Sequence, residues 1–434
     1  MPFDVIDSHE QIQTRPEFSA ARSAIVPQLL FILLLGLLDA QMISPLLPAI
    51  ADDFAVSIAQ AGAAVTAYAF AAAICALVIG PLSDRFGRLV FLLAASILMV
   101  VAASVCFIAR EYELYLAARV LNGVAGGTIS ACVIAQVADL FSYRHRGRAM
   151  GWIGAMYFIV AVIGVPAAAW IASGAGWRAL YAGIAIAALV PVWSFGARAG
   201  RYSVLFQEPR SGDRSGKWRR AVNDQAHQYW KYLSEPSTRS GLLLALTFSA
   251  TAAGLLTYLA AWLVSNFGMS LSSIASAFLV AGLASTVGAI SGGWLSDRVG
   301  KKRMIAWSSL LLAVILPIFA QAQNTTQVYV LFALGGLFMA VREGPYQALI
   351  TELVPGNQRG AYIALRNSVS QIAIAASAAI CGVLYQKLGF GAVTFLLAGL
   401  SLGATVFALL VTEPDPSYNQ THHKGHKEHR EHRV

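Results

Sequence analysis

Apolar runs of about twenty residues alternate along this chain with short charged loops. At about 1.5 Å per helical residue, runs of that length match the roughly 30 Å hydrocarbon core of a bilayer. Twelve occur, at 24–50, 58–82, 88–109, 112–141, 147–173 and 177–198, then at 239–266, 271–296, 303–322, 326–354, 359–386 and 389–412. The pattern predicts an all-α integral membrane protein with twelve transmembrane helices in two pseudo-symmetric six-helix bundles, 24–198 and 239–412. A polar linker, 199–238, joins them, and polar segments 1–23 and 413–434 flank them. The first apolar run follows a polar stretch and is too long for a cleavable signal.

Composition agrees, since 57% of residues are hydrophobic and only 12% are charged, with a mean hydropathy of +0.62. An ordinary soluble domain is excluded. The loops after helices 1, 3, 5 and the other odd-numbered helices hold only Arg110, Arg178 and Lys387. Most other basic residues fall on the opposite side, so both termini are expected in the cytoplasm of a multi-pass protein of the bacterial inner membrane. The net charge of +9 then reads as topology and contact with anionic lipid headgroups, with no nucleic-acid partner. Cys75, Cys106, Cys132 and Cys381 lie inside apolar runs without metal or redox spacing.

Two loop phrases recur at one offset. GPLSDRFGR, from Gly80, returns as GGWLSDRVGKK, from Gly292, so that Asp84 and Asp297 lie 297 − 84 = 213 residues apart. Arg146-Gly147, before helix 5, and Arg359-Gly360, before helix 11, repeat the same spacing, 359 − 146 = 213. Two motifs at one offset indicate two homologous halves. Such paired repeats are the architecture of alternating-access transporters, with substrate held between the halves near the membrane midplane.

The chain resembles the major facilitator superfamily from helix 1 to helix 12. GPLSDRFGR looks like that family's signature between helices 2 and 3, and LYLAARVLNGVAGG resembles its helix 4 motif centred on an arginine, here Arg119. GAMYFIVAVIGVPAAAWIASGAGWR is similar to the glycine-proline motif of helix 5 in proton-driven exporters. The usual GP is GVP here, at Gly164 and Pro166, with alanines where glycines are expected. The resemblance implies a proton-coupled drug or sugar efflux permease, with helices 1, 4, 7 and 10 lining the cavity.

The repeated loop carries its own physics. Gly80 and Gly87 permit a tight turn, as do Gly293 and Gly300, while a carboxylate suits the positive start of a neighbouring helix. Asp84 is expected to meet the start of helix 11 near Arg359-Gly360, and Asp297 the start of helix 5 near Arg146-Gly147. Together with Arg85, Arg88, Arg298, Asp139 and Glu352, these residues would latch the cytoplasmic side in the outward-facing state. The plainer reading is a solvated topology signal.

Charges within the spans carry more weight, because each costs about 2.5–3.5 kcal/mol at a helix centre on insertion scales. Asp39 lies near the middle of helix 1, Arg119 in helix 4, Arg342-Glu343 in helix 10 and Arg366 in helix 11. Asp39 is the candidate proton carrier, since a carboxylate in low dielectric is disposed to exchange protons. It is expected to pair with Arg119, and protonation would release Arg119 toward substrate; the alternative is a structural ion pair. Consecutive residues lie about 100° apart on a helix, so Arg342 and Glu343 cannot face one point, and Gly344-Pro345 predicts a kink beside them. Gln41, Asn122, Gln136, Tyr258, Tyr346, Gln347, Asn367 and Gln371 complete the expected substrate cavity. Gly123-x-x-x-Gly127 and Gly288-x-x-x-Gly292 read as helix packing.

In the linker, Trp218, Val222, Tyr229 and Leu233 share a helical stripe, expected on the membrane surface. The tail holds His422, His423, His426, His429 and His432; a solvated basic tail is favoured over a metal site. No phosphate loop or catalytic constellation occurs, so no cofactor, metal or enzymatic activity is expected. The predicted function is proton-coupled export of a small organic solute by a monomer. Metabolite uptake and lipid-like transport are the alternatives, and a non-transporting sensor is the competitor from another class.

Overall fold

The computed structural model describes residues 16–141, 143–197, 225, 227–355 and 358–411, with side chains at 16–22, 80–81, 84–85, 138 and 143–148 outside that description. Among the described residues every regular element is helical. Eleven helices are long and apolar enough to cross a membrane, and one of them, Arg359–Leu410, is two. It breaks at Gly389, whose φ of 79° is in the left-handed region that favours glycine. Among the described residues the spans number twelve, as the apolar runs predict.

Helix 1 comprises Pro16–Gln41 and Ile43–Asp53; helices 2, 3 and 4 are Ile58–Phe86, Arg88–Ile108 and Tyr112–Leu140. Helix 5 runs from Tyr143 to Ala175 through a π turn at Val160–Gly164, and helix 6 is Trp177–Ala197. Helices 7, 8 and 9 are Pro236–Phe267, Leu271–Val299 and Lys301–Phe319; helix 10 is Thr325–Val341 plus Glu343–Glu352.

Proline places the interruptions. Pro45 cannot donate to the carbonyl four residues back, Gln41, and helix 1 breaks at Met42; Pro345 likewise spares Val341, and helix 10 breaks at Arg342. Pro166 does the same to Val162, inside the π turn of helix 5. The kink expected at Gly344-Pro345 is therefore present, its break at the arginine itself.

Small residues let neighbouring helices touch through their backbones. A side chain at Gly123 or Gly127 of helix 4 would overlap Tyr68 or Ala72 of helix 2. In the second half Gly288 and Gly292 of helix 8 meet Leu337 and Val341 of helix 10. Both small-residue pairs are packing surfaces, as expected.

Among the described residues the contacts between the halves gather at one end. Thr66 Oγ1 of helix 2 donates to the Ala375 carbonyl of helix 11 at 3.3 Å, the second segment of helix 1 packs on helix 7, and Gly282 of helix 8 seats against Val162 of helix 5. Gly151 and Gly293 lie eleven residues, about three turns, from those two positions and share their helix faces. Neither has any atom within 4 Å of where a side chain would begin. The bundles thus close at the face carrying the odd-numbered loops and part toward the face carrying the repeated charged loops.

That charged face modifies two expectations. Gly80 and Gly293 lie within helices 2 and 8, which run on to Phe86 and Val299; the turns are made by Gly87 and Gly300 alone, at φ 93° and 98°. In the linker, residues 227–234 are helical, but Tyr232 is buried whereas Leu233 is exposed. Tyr232 Oη donates to the Gln358 carbonyl at 3.4 Å and its ring meets Tyr362 edge-on, docking the linker against the start of helix 11. Trp218, Val222 and the histidine-rich tail lie outside the described residues.

Candidate functional site

Helices 1 and 4 bring Asp39 and Arg119 together with no solvent exposure. Arg119 Nη1 donates to Asp39 Oδ1 at 3.0 Å, and Asn122, one turn on from Arg119, donates to the same oxygen at 3.4 Å. The guanidinium lies 4.7 Å from the Tyr68 ring centroid, a cation–π contact. Satisfaction is incomplete: Asp39 Oδ2, Asn122 Oδ1 and Arg119 Nε and Nη2 are buried without a hydrogen-bond partner. Asp39 and Arg119 thus form a buried charged pair inside the first bundle with hydrogen-bonding capacity left over.

The second half builds an open cavity of about 200 Å³ lined by Ala245, Phe248, Ser249, Ala252, Met339, Arg342, Glu343 and Arg366. The break at Arg342 turns both consecutive charges onto it. Arg342 stacks over Phe248 at 3.8 Å and Nη1 donates to Ser309 Oγ at 3.3 Å. Glu343 faces helix 11, where Arg366 Nη2 donates to its Oε1 at 3.5 Å; Gln347 donates to the same oxygen at 2.8 Å. Arg366 Nη1 in turn donates to Asn367 Oδ1 at 3.1 Å.

The remaining expected cavity residues are not among those lining this pocket. Tyr258 is fully buried at the closed face, its hydroxyl donating to the Ala378 carbonyl at 2.6 Å. Tyr346 is fully buried too, tied to the Gly241 carbonyl at 3.0 Å, and Gln136 is buried in the first bundle with Asn122. Gln41 and Gln371 are half-buried. Aromatic and amide groups in apolar spans go where a backbone carbonyl or a charge satisfies them, which residue type alone does not reveal.

At the charged face the repeat is geometrical as well as sequential. Arg88, opening helix 3, pairs with Asp139 near the end of helix 4, and Lys301, opening helix 9, pairs with Glu352 at the end of helix 10, at 2.5 Å. Both residues of each pair are 213 from their counterparts, so Asp139 and Glu352 pair within their halves. Asp297 is exposed and makes no ion pair with the described residues, and Arg298 stacks on Trp294 at 3.7 Å. The side chains of Asp84, Arg85 and Arg146 lie outside the described residues; Arg359 Nε is buried without a partner.

Two six-helix bundles closed at one face, parted at the other and carrying charges within their spans define a membrane transporter. The model of the Major Facilitator Superfamily matches residues 29–259 and 241–432, and the chain belongs to that superfamily. It is therefore a transporter and not an enzyme. It is 28% identical to a probable 4-methylmuconolactone transporter of Cupriavidus pinatubonensis, over 86% of each chain. It is 24% identical to the hexuronate transporter of Bacillus subtilis, over 89% of this chain and 93% of that one. Among solved structures, a bacterial homolog of the human lysosomal transporter Spinster, inward-facing and unoccupied, superposes with a TM-score of 0.67 at 16% identity, covering 92% of this chain and 96% of the other. The human organic anion transporter MFSD10 gives 0.63 at 18%, covering 91% and 100%. At those identities the structural likeness concerns the fold.

Proposed function

We propose that this protein is a proton-coupled secondary transporter that moves a small organic solute by alternating access, acting as a monomer with its termini in the cytoplasm. With that orientation the open face is cytoplasmic and the arrangement of the bundles is inward-facing. The repeated loops, including Asp84 and Asp297, would engage the opposite half when this face closes. The observation that carries proton coupling is the Asp39–Arg119 pair, a buried ion pair whose carboxylate keeps one unpartnered oxygen. A proton on that oxygen would neutralise Asp39, weaken its hold on Arg119 and let helices 1 and 4 shift.

The direction this reading favours is export in exchange for protons, supported by the helix 5 motif at Gly164-Val165-Pro166, whose π turn sits at the contact with helix 8. A second reading, uptake together with protons, is favoured by the excess of arginine over carboxylate in the cavity. Importing an anion against an inside-negative potential costs about 2.3 kcal/mol per charge per 100 mV, which a co-moving proton cancels. Vesicles with an imposed pH gradient separate the two by the sign of the gradient that concentrates solute. In either case Asp39→Asn is expected to abolish gradient-driven transport while retaining counterflow of labelled solute. Full gradient-driven transport in that variant would reject Asp39 as the carrier, and absence of counterflow in the wild type would point to a sensor.

A further inference from the structure

Arg342 stands out among the buried charges because, among the described residues, it makes no ion pair of its own, its neighbour Glu343 being paired with Arg366. Its side chain is almost fully buried, and Asp39 serves Arg119 instead. A guanidinium does not shed its proton in a protein, and a buried charge is stable only when compensated. Backbone and packing hold it nonetheless. The helix break at Arg342 aims it, Phe248 covers one face of its plane and Ser309 accepts from Nη1. What remains is a guanidinium fork that lines the cavity with its orientation prepared in advance.

Resting on the transporter reading above, we propose that this cavity binds a small organic monocarboxylate, its carboxylate held by Arg342 and its body against Ala245, Ala252 and Met339. The fork matches a carboxylate in bidentate fashion. Glu343, on the same cavity, disfavours a second negative charge, which selects a monocarboxylate over a phosphate monoester. The Arg366–Glu343 contact, at 3.5 Å, is long enough to yield to a hydroxyl or carbonyl at the other end of the solute.

The test uses the full-length protein in detergent without any gradient. Thermal stabilisation is measured with benzoate, cyclohexanecarboxylate, levulinate and D-glucuronate, each beside its primary amide, and with inorganic phosphate. The expected result is that at least one carboxylate stabilises the protein while its amide does not, and that Arg342→Gln weakens that binding by about tenfold or more. Arg342→Lys, which keeps the charge without the fork, should fall between them and controls for folding. Binding is read with no proton gradient imposed, so that a failure of proton coupling and a failure of anion binding are read separately. Amides binding as well as acids, no carboxylate binding at all, phosphate binding in their place, or wild-type affinity in folded Arg342→Gln would each overturn the proposal.

Discussion

Tyr258 of helix 7 sets its hydroxyl where a side chain on Gly62 of helix 2 would have to begin, so that one half of the chain is seated in a notch of the other. Gly382 of helix 11 completes the notch from the second half. Closure at this face therefore depends on an absent side chain. Gly62→Val should prise the face apart, since the added carbons meet a ring that is stacked on Tyr385 and cannot swing away. Spin labels at Asp52→Cys and Ser272→Cys, on opposite halves, should report a longer distance in that variant. Tyr258→Phe removes one hydrogen bond, worth about 1 kcal/mol, but keeps the wedge, and should leave the distance near that of the wild type. An unchanged distance in Gly62→Val would show that closure is held elsewhere.

The second prediction separates the worth of the Asp39–Arg119 pair from the cost of breaking it. Removing one partner leaves the other charge buried alone, which costs about 3–5 kcal/mol, whereas removing both charges together is close to neutral in comparable interiors. Asp39→Leu and Arg119→Leu should each lower stability by that amount, and the double variant should lose much less than their sum. Thermal unfolding of the four proteins in detergent gives the cycle. Additive losses would mean that the two charges do not sense each other, at odds with the 3.0 Å contact.

The spans, the halves and this pair were legible in the sequence because each rests on one strong rule: hydrocarbon thickness, a fixed offset of 213, and the cost of charge in lipid. The π turn and the exact helix breaks were not. Pro27, Pro191 and Pro317 sit in helices that stay continuous, so proline alone does not say where a helix gives way. The partner of Glu343 was also hidden: Arg366 was visible as an intramembrane charge, but its register against helix 10 depends on how two helices cross. Tyr258 and Tyr346 read as cavity residues because a tyrosine in an apolar span looks alike whether its hydroxyl faces water or a carbonyl, as theirs do.

Gly87 and Gly300 offer a third prediction, about backbone alone. Both hold φ above 90°, and neither has an atom within 4 Å of a would-be side chain. An alanine there fits the space but not the conformation, at a cost of about 1–3 kcal/mol. Gly293→Ala, in a helix with equal space around it, should cost nothing or slightly stabilise. Equal melting temperatures for Gly300→Ala and Gly293→Ala would remove the argument for conformational selection at the turn.

The paired ions beside those turns should behave differently from the buried pair. Asp139 and Glu352 have side chains 50% and 40% exposed, and exposed pairs contribute only about 0–1 kcal/mol. Glu352→Gln should therefore leave thermal stability almost unchanged. If Lys301–Glu352 steers helix 10 during exchange, the turnover rate should fall while apparent affinity holds. Rate and affinity both at wild-type values would reduce the pair to a topology signal.

Glu343 carries the last prediction, because it joins helix 10 to helix 11 across the cavity while Arg342, its neighbour in sequence, joins helix 10 to helices 7 and 9. Position 119 + 213 = 332 is Phe332, so the second half has no counterpart of the helix 4 arginine and is not a second copy of the proton site. Glu343→Gln keeps the shape and the hydrogen bond from Gln347 but removes the charge facing Arg366. Arg366 would then add its positive charge to that of Arg342, and an anionic solute should bind more tightly and leave more slowly. The expected outcome is a lower half-saturation concentration with a lower maximal rate, at an unchanged ratio of protons to solute. A changed ratio with unaltered affinity would move the coupling site to helix 10 and leave the Asp39–Arg119 pair as a structural tie between helices 1 and 4.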